Sequence, residues 1–310
     1  MLANLPHALR GVLTALTLCL STVLITLTLV PPALIKLLIP GDAVRRVCDR
    51  LLNALASSWV AINNAWIVAV RKAQWDVQGV SSLHANGWYL ISSNHQSWVD
   101  ILVLQRIFYG RIPFLKFFLK QELIWVPVIG LAWWALDFPF MKRGRGSGAR
   151  GSDLKTTREA CEKFKKIPTS VINFVEGTRF TAAKHDQQRS PYQYLLKPKI
   201  GGLGIALATM GEQFEALLDV TIVYPNGVPN FWDLLSGRVN AVTVRVVERP
   251  IPKEVLGSDP IGDKNYRRQI SDWVEQQWAE KDRLIAELKQ TTSASGSTRA
   301  AQAAELHATL

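Results

Sequence analysis

The chain has 310 residues, a formal net charge of +11 at pH 7, and a hydrophobic fraction of 48% that includes eleven tryptophans. This length accommodates one large α/β domain with or without an accessory segment, while 20% charged residues exclude a bundle of transmembrane helices. The positive charge favours an anionic partner such as nucleic acid, lipid headgroups or phosphorylated substrates.

Cysteine and histidine usage gives no sign of a disulfide framework or a metal centre. The three cysteines form no CxxC pair and are interpreted as reduced structural residues, consistent with a cytoplasmic domain. The five histidines show no HExxH or HxH spacing, so no zinc site and no metal cofactor are expected.

An uncharged run of twenty residues, GVLTALTLCLSTVLITLTLV (11–30), is long enough to cross the hydrocarbon core of a bilayer. We interpret it as a retained anchor, because it exceeds the usual length of a signal-peptide apolar region and no A-x-A-like site follows before Pro31 and Pro32. If it is the only span, the excess of basic residues after it places the carboxyl-terminal bulk in the cytoplasm.

Two further apolar segments leave the membrane topology open between one span and a hairpin of two. Residues 51–70 are uncharged but contain three asparagines, which suits a helix at the interface or packed on the domain. Residues 123–140 contain Pro127, Gly130, Asp137 and Pro139, and we expect buried or membrane-dipping structure there.

From Trp75 onward, short apolar runs alternate with helical patterns. Strand-like runs begin at residues 88, 170, 217 and 239, and helical patterns cover 100–108, 153–166, 202–210 and 265–289. This alternation predicts an α/β fold: a mainly parallel central sheet flanked by helices, preceded by a transmembrane or interfacial helical segment. The predicted division is an anchor with interfacial helices (1–72), a catalytic domain (73–290) and a flexible tail (291–310).

His95 and Asp100 stand where an apolar run ends in SSNHQSWVD (92–100). On one straight helix, five positions differ by about 140°, so the two can meet only if His95 precedes the helix. Ser97 can cap that helix and leave Asp100 in its first turn. Two interpretations stay open for Asp100: it orients a catalytic histidine, or it is the acid of a capping box.

A second polar turn is NFVEGTRF (173–180), where a strand delivers Glu176, Gly177, Thr178 and Arg179. Gly177 permits close backbone approach, and the arginine fork suits a phosphate. The alternative is a plain strand-to-loop turn with a solvated Glu/Arg pair.

A third segment, DFPFMKRGRGSGARG (137–151), interleaves four basic residues with glycines. It lacks the GxxxxGK[ST] pattern of a nucleotide-binding loop and the aromatics typical of RNA-binding segments. We expect a mobile basic lid near anionic ligands. No serine or cysteine stands in a nucleophile elbow, so no covalent acyl-enzyme is indicated.

The motifs NHQSWVD, FVEGTR and the terminal proline of VTIVYP, in this order, resemble those of the glycerolipid (lysophosphatidic acid) acyltransferase family, PlsC-like proteins. The family has an NHx4D block, a block ending in arginine, an EGTR block and a strand ending in proline, and the match covers about residues 75–225. The stretch FLKQELIWVPVIG (118–130) also resembles the segment that follows the first block. The remaining regions look most like the bacterial inner-membrane YihG-type branch.

The resemblance implies residue roles. His95 would be the general base and Asp100 would orient it, with Lys120 as candidate for the developing oxyanion, although Lys116 competes for that role. Phosphate binding would fall to Arg143 and Arg179 with Gly177 and Thr178. Glu176 would position that phosphate-binding turn and Pro225 would close the acyl-donor side. Lys142 stands where many relatives have a small polar residue before the arginine, so this block is more basic than the usual one.

The implied reaction transfers an acyl chain from acyl-CoA or acyl carrier protein to the free hydroxyl of lysophosphatidic acid, forming phosphatidic acid. No cofactor is implied, the partners would be membrane phospholipids, the lysophospholipid acceptor and the donor carrier, and no nucleic acid is expected. The location would be the bacterial inner membrane, with the catalytic domain facing the cytoplasm. The alternatives are acylation of another lysophospholipid or of glycerol 3-phosphate, and a basic, membrane-anchored protein that binds nucleic acid or anionic lipid without catalysis.

Overall fold

The computed structural model describes residues 5–70, 73–138, 140–141, 159, 161–162, 164–257 and 262–308. The chain begins with two long helices, α1 (His7–Leu38) and α2 (Asp42–Val70), which pack against each other as a hairpin. Pro31 and Pro32 lie inside α1 and do not end it. Both helices are long and apolar enough to cross a membrane, which by length and composition alone is weak support for membrane association.

Helix α1 contacts the rest of the protein at both of its ends. Near its start, His7 Nδ1 lies 3.1 Å from the carbonyl oxygen of Ser236, and a Cβ added to Gly11 would lie 2.6 Å from the ring of Trp232. Near its end, Lys36 forms ion pairs with Asp49 of α2 at 3.0 Å and with Asp137 at 2.6 Å.

The central sheet has six strands in the order β1-β8-β7-β2-β6-β3, and β4 and β5 form a separate two-stranded sheet. The bounds are β1 Gln74–Gln78, β2 Tyr89–Ser93, β3 Leu115–Phe117, β4 Leu119–Lys120, β5 Phe140–Met141, β6 Ser170–Phe174, β7 Ala216–Val223 and β8 Ala241–Arg249.

The predicted α/β fold with a mainly parallel central sheet is confirmed. Within the six-stranded sheet, only the pairing of β7 with β8 is antiparallel. Strands β1 and β8 therefore run against the other four and make the sheet mixed. The sequence pattern did not predict β1 or β3, because β1 is half exposed at one edge and β3 has only three residues.

The remaining helices cover the two faces of the sheet. They are α3 Val99–Phe108, α4 Ile129–Ala135, α5 Ala182–Gln188, α6 Gly201–Met210, α7 Phe231–Leu235 and α8 Lys264–Ala308. A 3₁₀ turn (Gln121–Trp125) and α4 occupy most of the segment expected to be buried or membrane-dipping, and Trp125 is 84% exposed. Of the helix predicted over 153–166, the structure describes residues 159, 161–162 and 164, which are helical, and residues 165–166, which form a turn.

The long carboxyl-terminal helix α8 packs against β7 through a buried ion pair. The Lys281 side chain is 0% exposed and its Nζ lies 2.5 Å from Asp219 Oδ1. Arg249 of β8 pairs with the other oxygen of Asp219 at 3.1 Å. The helix continues through residues 291–308, where the sequence predicts a flexible tail, and alanine, the strongest helix former, recurs there. The division into three domains stays a prediction.

Candidate active site

The polar turns that follow β2 and β6 lie side by side. The two strands are parallel neighbours, and Ser93 pairs with Phe174 in the last register position. Because both strands end at the same edge, His95 and Glu176 each come two residues after their strand. The sheet thereby joins two motifs that are 81 residues apart in the chain.

Asn94 extends the pairing of β2 with β7 beyond the last strand residue. Its side-chain amide donates to the Ile222 carbonyl at 2.9 Å, and its Oδ1 accepts the Ile222 N–H at 2.8 Å. Asn94 is fully buried. These two hydrogen bonds fix the backbone directly before His95, so Asn94 positions the histidine.

The imidazole of His95 contacts the carboxylate of Asp100, with Nδ1 2.9 Å from Oδ2. The same oxygen accepts the backbone N–H groups of Gln96 at 2.6 Å and Ser97 at 2.8 Å. Helix α3 begins at Val99, so His95 precedes it, as the spacing required.

The capping interpretation holds only in part. The Asp100 carboxylate accepts the Ser97 N–H, but Ser97 Oγ accepts the Val99 N–H and donates to the Pro229 carbonyl instead of pairing with Asp100 N–H. Asp100 therefore orients the histidine and caps the turn through one oxygen, Oδ2, and both interpretations of its role are compatible.

The free nitrogen of His95 is available for chemistry. Its side chain is 12% exposed, its ring stacks on Phe174 with centroids 4.0 Å apart, and within the described chain Nε2 has no hydrogen-bond partner. With the Nδ1 proton held by Asp100, Nε2 carries a lone pair that can accept a proton. This is the geometry of a general base with an orienting carboxylate.

Glu176 is completely buried and serves the backbone of the site. Its Oε1 accepts the His95 N–H at 2.8 Å and its Oε2 accepts the Leu196 N–H at 3.0 Å. Burial raises the pKa of Glu176 to about 7, and the two backbone hydrogen bonds oppose that shift. Glu176 therefore positions the histidine loop (residues 95–97), and both of its carboxylate oxygens already accept hydrogen bonds within the protein.

The turn after Glu176 is lined by cations. Gly177 has a φ of +66°, and a Cβ added there would meet Lys199 Cδ at 3.2 Å and Nζ at 3.6 Å. Lys184 Nζ donates to Thr178 Oγ1 at 2.8 Å, and the Arg179 guanidinium lies 4.8 Å from the ring centroid of Trp98. No carboxylate of the described residues neutralises Arg179, Lys184 or Lys199.

The two candidate lysines, one in β3 and one in β4, differ in their surroundings. Lys116 is 5% exposed and donates to the Leu136 carbonyl at 2.9 Å, so it is a structural residue of the interior. Lys120 is exposed on β4. Arg143, the candidate phosphate ligand of the basic segment, and its neighbour Lys142 lie outside the described residues.

Sequence reasoning missed four residues that the fold brings to this site. Asn94 begins the NHQSWVD motif, but the sequence alone assigned it no role. Lys184 and Lys199 follow the EGTR turn without a recognisable spacing. Tyr224 donates its hydroxyl to Asp100 Oδ1 at 2.6 Å from 124 residues away. The only local signal for Tyr224 was its place at the end of a predicted strand.

Comparison with known proteins identifies relatives along most of the chain. A family model described as Acyltransferase matches residues 74–225. Lysocardiolipin acyltransferase 1 of Danio rerio is 25% identical over 91% of this chain and 72% of its own length. The gamma form of 1-acyl-sn-glycerol-3-phosphate acyltransferase of Mus musculus is 26% identical over 79% of this chain and 65% of its own length.

A solved structure has the same fold. The crystal structure of the 1-acyl-sn-glycerophosphate (LPA) acyltransferase PlsC from Thermotoga maritima superposes with a TM-score of 0.54. The match covers 92% of this chain and 98% of that chain at 21% identity, which supports the fold alone.

Proposed function

Because this chain is an acyltransferase of the PlsC-like glycerolipid acyltransferase family, we propose that it transfers an acyl chain from a thioester donor to the free hydroxyl of lysophosphatidic acid. The observation that carries the proposal is the His95–Asp100 contact at 2.9 Å beside a cluster of cations that no carboxylate of the described residues neutralises. The first provides a base for a hydroxyl, and the second provides a counter-charge for the phosphate on the same small acceptor.

In the proposed reaction, His95 Nε2 takes the proton of the acceptor hydroxyl as its oxygen attacks the thioester carbonyl. The imidazolium that forms is stabilised by Asp100. The tetrahedral intermediate then collapses, the carbon–sulfur bond breaks, and the leaving thiolate takes the proton from His95. The oxygen attacks directly, so no acyl-enzyme forms.

Two basic regions would stabilise the negative charges of the reaction. Lys120 remains the candidate donor to the developing oxyanion, since Lys116 is already bonded in the interior. One such donor is worth roughly 3–4 kcal/mol of transition-state stabilisation. Pro225 would close the acyl-donor side, as the family resemblance implies.

The acceptor phosphate would bind at the turn 177–179. Arg179, Lys184 and Lys199 supply three positive charges around Gly177 and Thr178. A phosphate monoester carries up to two negative charges, so it matches this cluster better than a phosphodiester headgroup with one. Arg143 stays a candidate for the same phosphate by resemblance. Glu176, which is buried and directly precedes the turn, would position it.

Another lysophospholipid is the second candidate acceptor, because one relative is named a lysocardiolipin acyltransferase. The donor carrier, acyl-CoA or acyl carrier protein, is also a proposal. So are membership of the YihG-type branch, location in the bacterial inner membrane and a cytoplasmic active site, for which the apolar helices α1 and α2 give weak support.

The test measures release of free thiol from acyl-CoA, and separately from acyl carrier protein, by membranes containing wild type or His95→Ala. We expect His95→Ala to lose roughly 10²–10⁴-fold in rate. Equal rates would contradict the assigned base. A panel of lysophosphatidic acid, glycerol 3-phosphate and phosphodiester lysolipids identifies the acceptor, and failure of every acceptor would refute the function.

The phosphate site is tested with Lys199→Met. Loss of one charged hydrogen-bond donor should raise the KM for lysophosphatidic acid about tenfold or more, with a smaller change in kcat. Lys197→Met is the matched control, because Lys197 is also exposed and lies two positions away. An equal effect of both changes would indicate general electrostatic attraction and not a defined phosphate site.

A further inference from the structure

The Asp100 carboxylate is held by donors from two distant parts of the chain. Its Oδ2 accepts three hydrogen bonds from the loop at residues 95–97. Its Oδ1 accepts one, from the Tyr224 hydroxyl at 2.6 Å. Asp100 is 0% exposed and Tyr224 is 4% exposed, so water does not supply these contacts in their place.

We propose that Tyr224 is a positioning residue for the His95–Asp100 pair, holding Asp100 Oδ1 so that Oδ2 stays directed at the imidazole. Tyr224 directly follows β7, whose last residue is Val223, and the Asn94–Ile222 hydrogen bonds fix this part of β7 to the histidine loop. The tyrosine and the histidine loop are therefore part of one rigid edge of the sheet.

The hydroxyl acts as a donor throughout the working range of pH. Burial, together with the nearby Asp100 carboxylate, raises the pKa of Tyr224 well above its ordinary value. A neutral phenol bonded to Oδ1 draws part of the carboxylate's negative charge away from the imidazole. It therefore both restrains the rotation of the carboxylate and reduces the negative charge that Asp100 directs at the imidazole.

Removal of the hydroxyl has a predictable direction. Without the Tyr224 donor, more of the negative charge of Asp100 acts on the imidazole, so we expect the acid limb of kcat/KM to move to higher pH in Tyr224→Phe. Among the described residues, Glu176 interacts electrostatically with Asp100, and Lys281 interacts with Glu176. Neither changes when the tyrosine is replaced by phenylalanine.

The experiment, which rests on the proposed acyl transfer, compares full-length Tyr224→Phe with wild type in kcat, acceptor KM and the pH profile of kcat/KM. Tyr266→Phe is the matched control, because Tyr266 is also buried and its hydroxyl donates to a backbone carbonyl, that of Val255, at 2.8 Å. We expect Tyr224→Phe to lower kcat about tenfold or more, to leave the KM within about twofold, and to shift the acid limb to higher pH. We expect Tyr266→Phe to change none of these.

An unchanged kcat and acid limb in Tyr224→Phe, or equal changes in Tyr266→Phe, would overturn the inference. Inactive wild type on every acceptor would instead refute the proposed function. If Tyr224→Phe does not accumulate, 3-fluorotyrosine at position 224 retains the donor and strengthens it. The acid limb should then shift to lower pH, and an acid limb at the wild-type position would contradict the role of Tyr224.

Discussion

Replacing Glu176 by glutamine removes a buried ionisable carboxyl from the site while keeping the size of the side chain. Burial raises the pKa of the carboxyl from its ordinary value of 4.5 to about 7. The native state therefore binds the Glu176 proton more tightly than the unfolded chain does. Stability from this group is fully present below the unfolded pKa and is lost as pH rises through the folded pKa.

The expected size follows from the two pKa values. A tenfold change in proton affinity corresponds to about 1.4 kcal/mol. The rise of the Glu176 pKa from 4.5 to about 7 therefore corresponds to about 3 kcal/mol of folding stability, which the wild type loses as pH rises from 4.5 to 7. Glutamine does not titrate. It also offers one oxygen to two backbone donors, the N–H groups of His95 and Leu196, so one donor stays unsatisfied at a cost of about 1–3 kcal/mol.

The assay is the free energy of unfolding of both proteins in detergent, followed by tryptophan fluorescence from pH 5 to pH 8. At pH 5 we expect Glu176→Gln to be less stable than wild type, because the wild-type carboxyl is protonated and the variant has lost one hydrogen bond. The difference should shrink as pH approaches 8. Glu212→Gln, a change of an exposed glutamate, should give a difference that does not vary with pH. Parallel wild-type and Glu176→Gln curves over the whole range would refute the reasoning.

Two further changes test the turn and the packing of the last helix. Gly177→Ala should lower the free energy of unfolding by about 1–2 kcal/mol, because the backbone there is left-handed, and it should raise the acceptor KM by displacing Lys199. Gly110→Ala is the control, because Gly110 has a φ of +72° and open space at its Cβ, and it should lower stability only. Equal KM values in the two variants would contradict this prediction. Lys281→Met leaves Asp219 without its closest partner and should lower the free energy of unfolding by about 3–5 kcal/mol, whereas the exposed Arg283→Met should change it little.

The sequence predicted those parts of the fold that depend on local pattern. The apolar runs that became β2, β6 and β7 are fully buried or nearly so, and their polar ends carry the motifs. The position of His95 before α3 followed from helix geometry alone. The family resemblance led to the same residues and is supported by the family model over 74–225.

The rest of the site depends on which strands are neighbours, and local pattern does not determine that. Tyr224 and Lys199 reach the site because β7 and the segment after α5 lie beside β2 and β6. The role of Glu176 was ambiguous for a different reason. In a turn of successive polar residues, a change of one position decides whether a side chain points into the interior or towards a ligand, and Glu176 points inward.

The attachment of α1 at both ends restricts how this protein can meet a bilayer. A helix of 32 residues is about 48 Å long, more than the thickness of the hydrocarbon core. Yet its first turn contacts Ser236 and its last turn pairs with Asp137. Both ends of the helix must therefore lie on the same side of a bilayer as the domain that carries these two residues. If α1 enters lipid, it does so lengthwise within one leaflet, with its exposed leucines facing the acyl chains. A lysolipid in that leaflet would then reach His95 by lateral diffusion, without crossing the membrane.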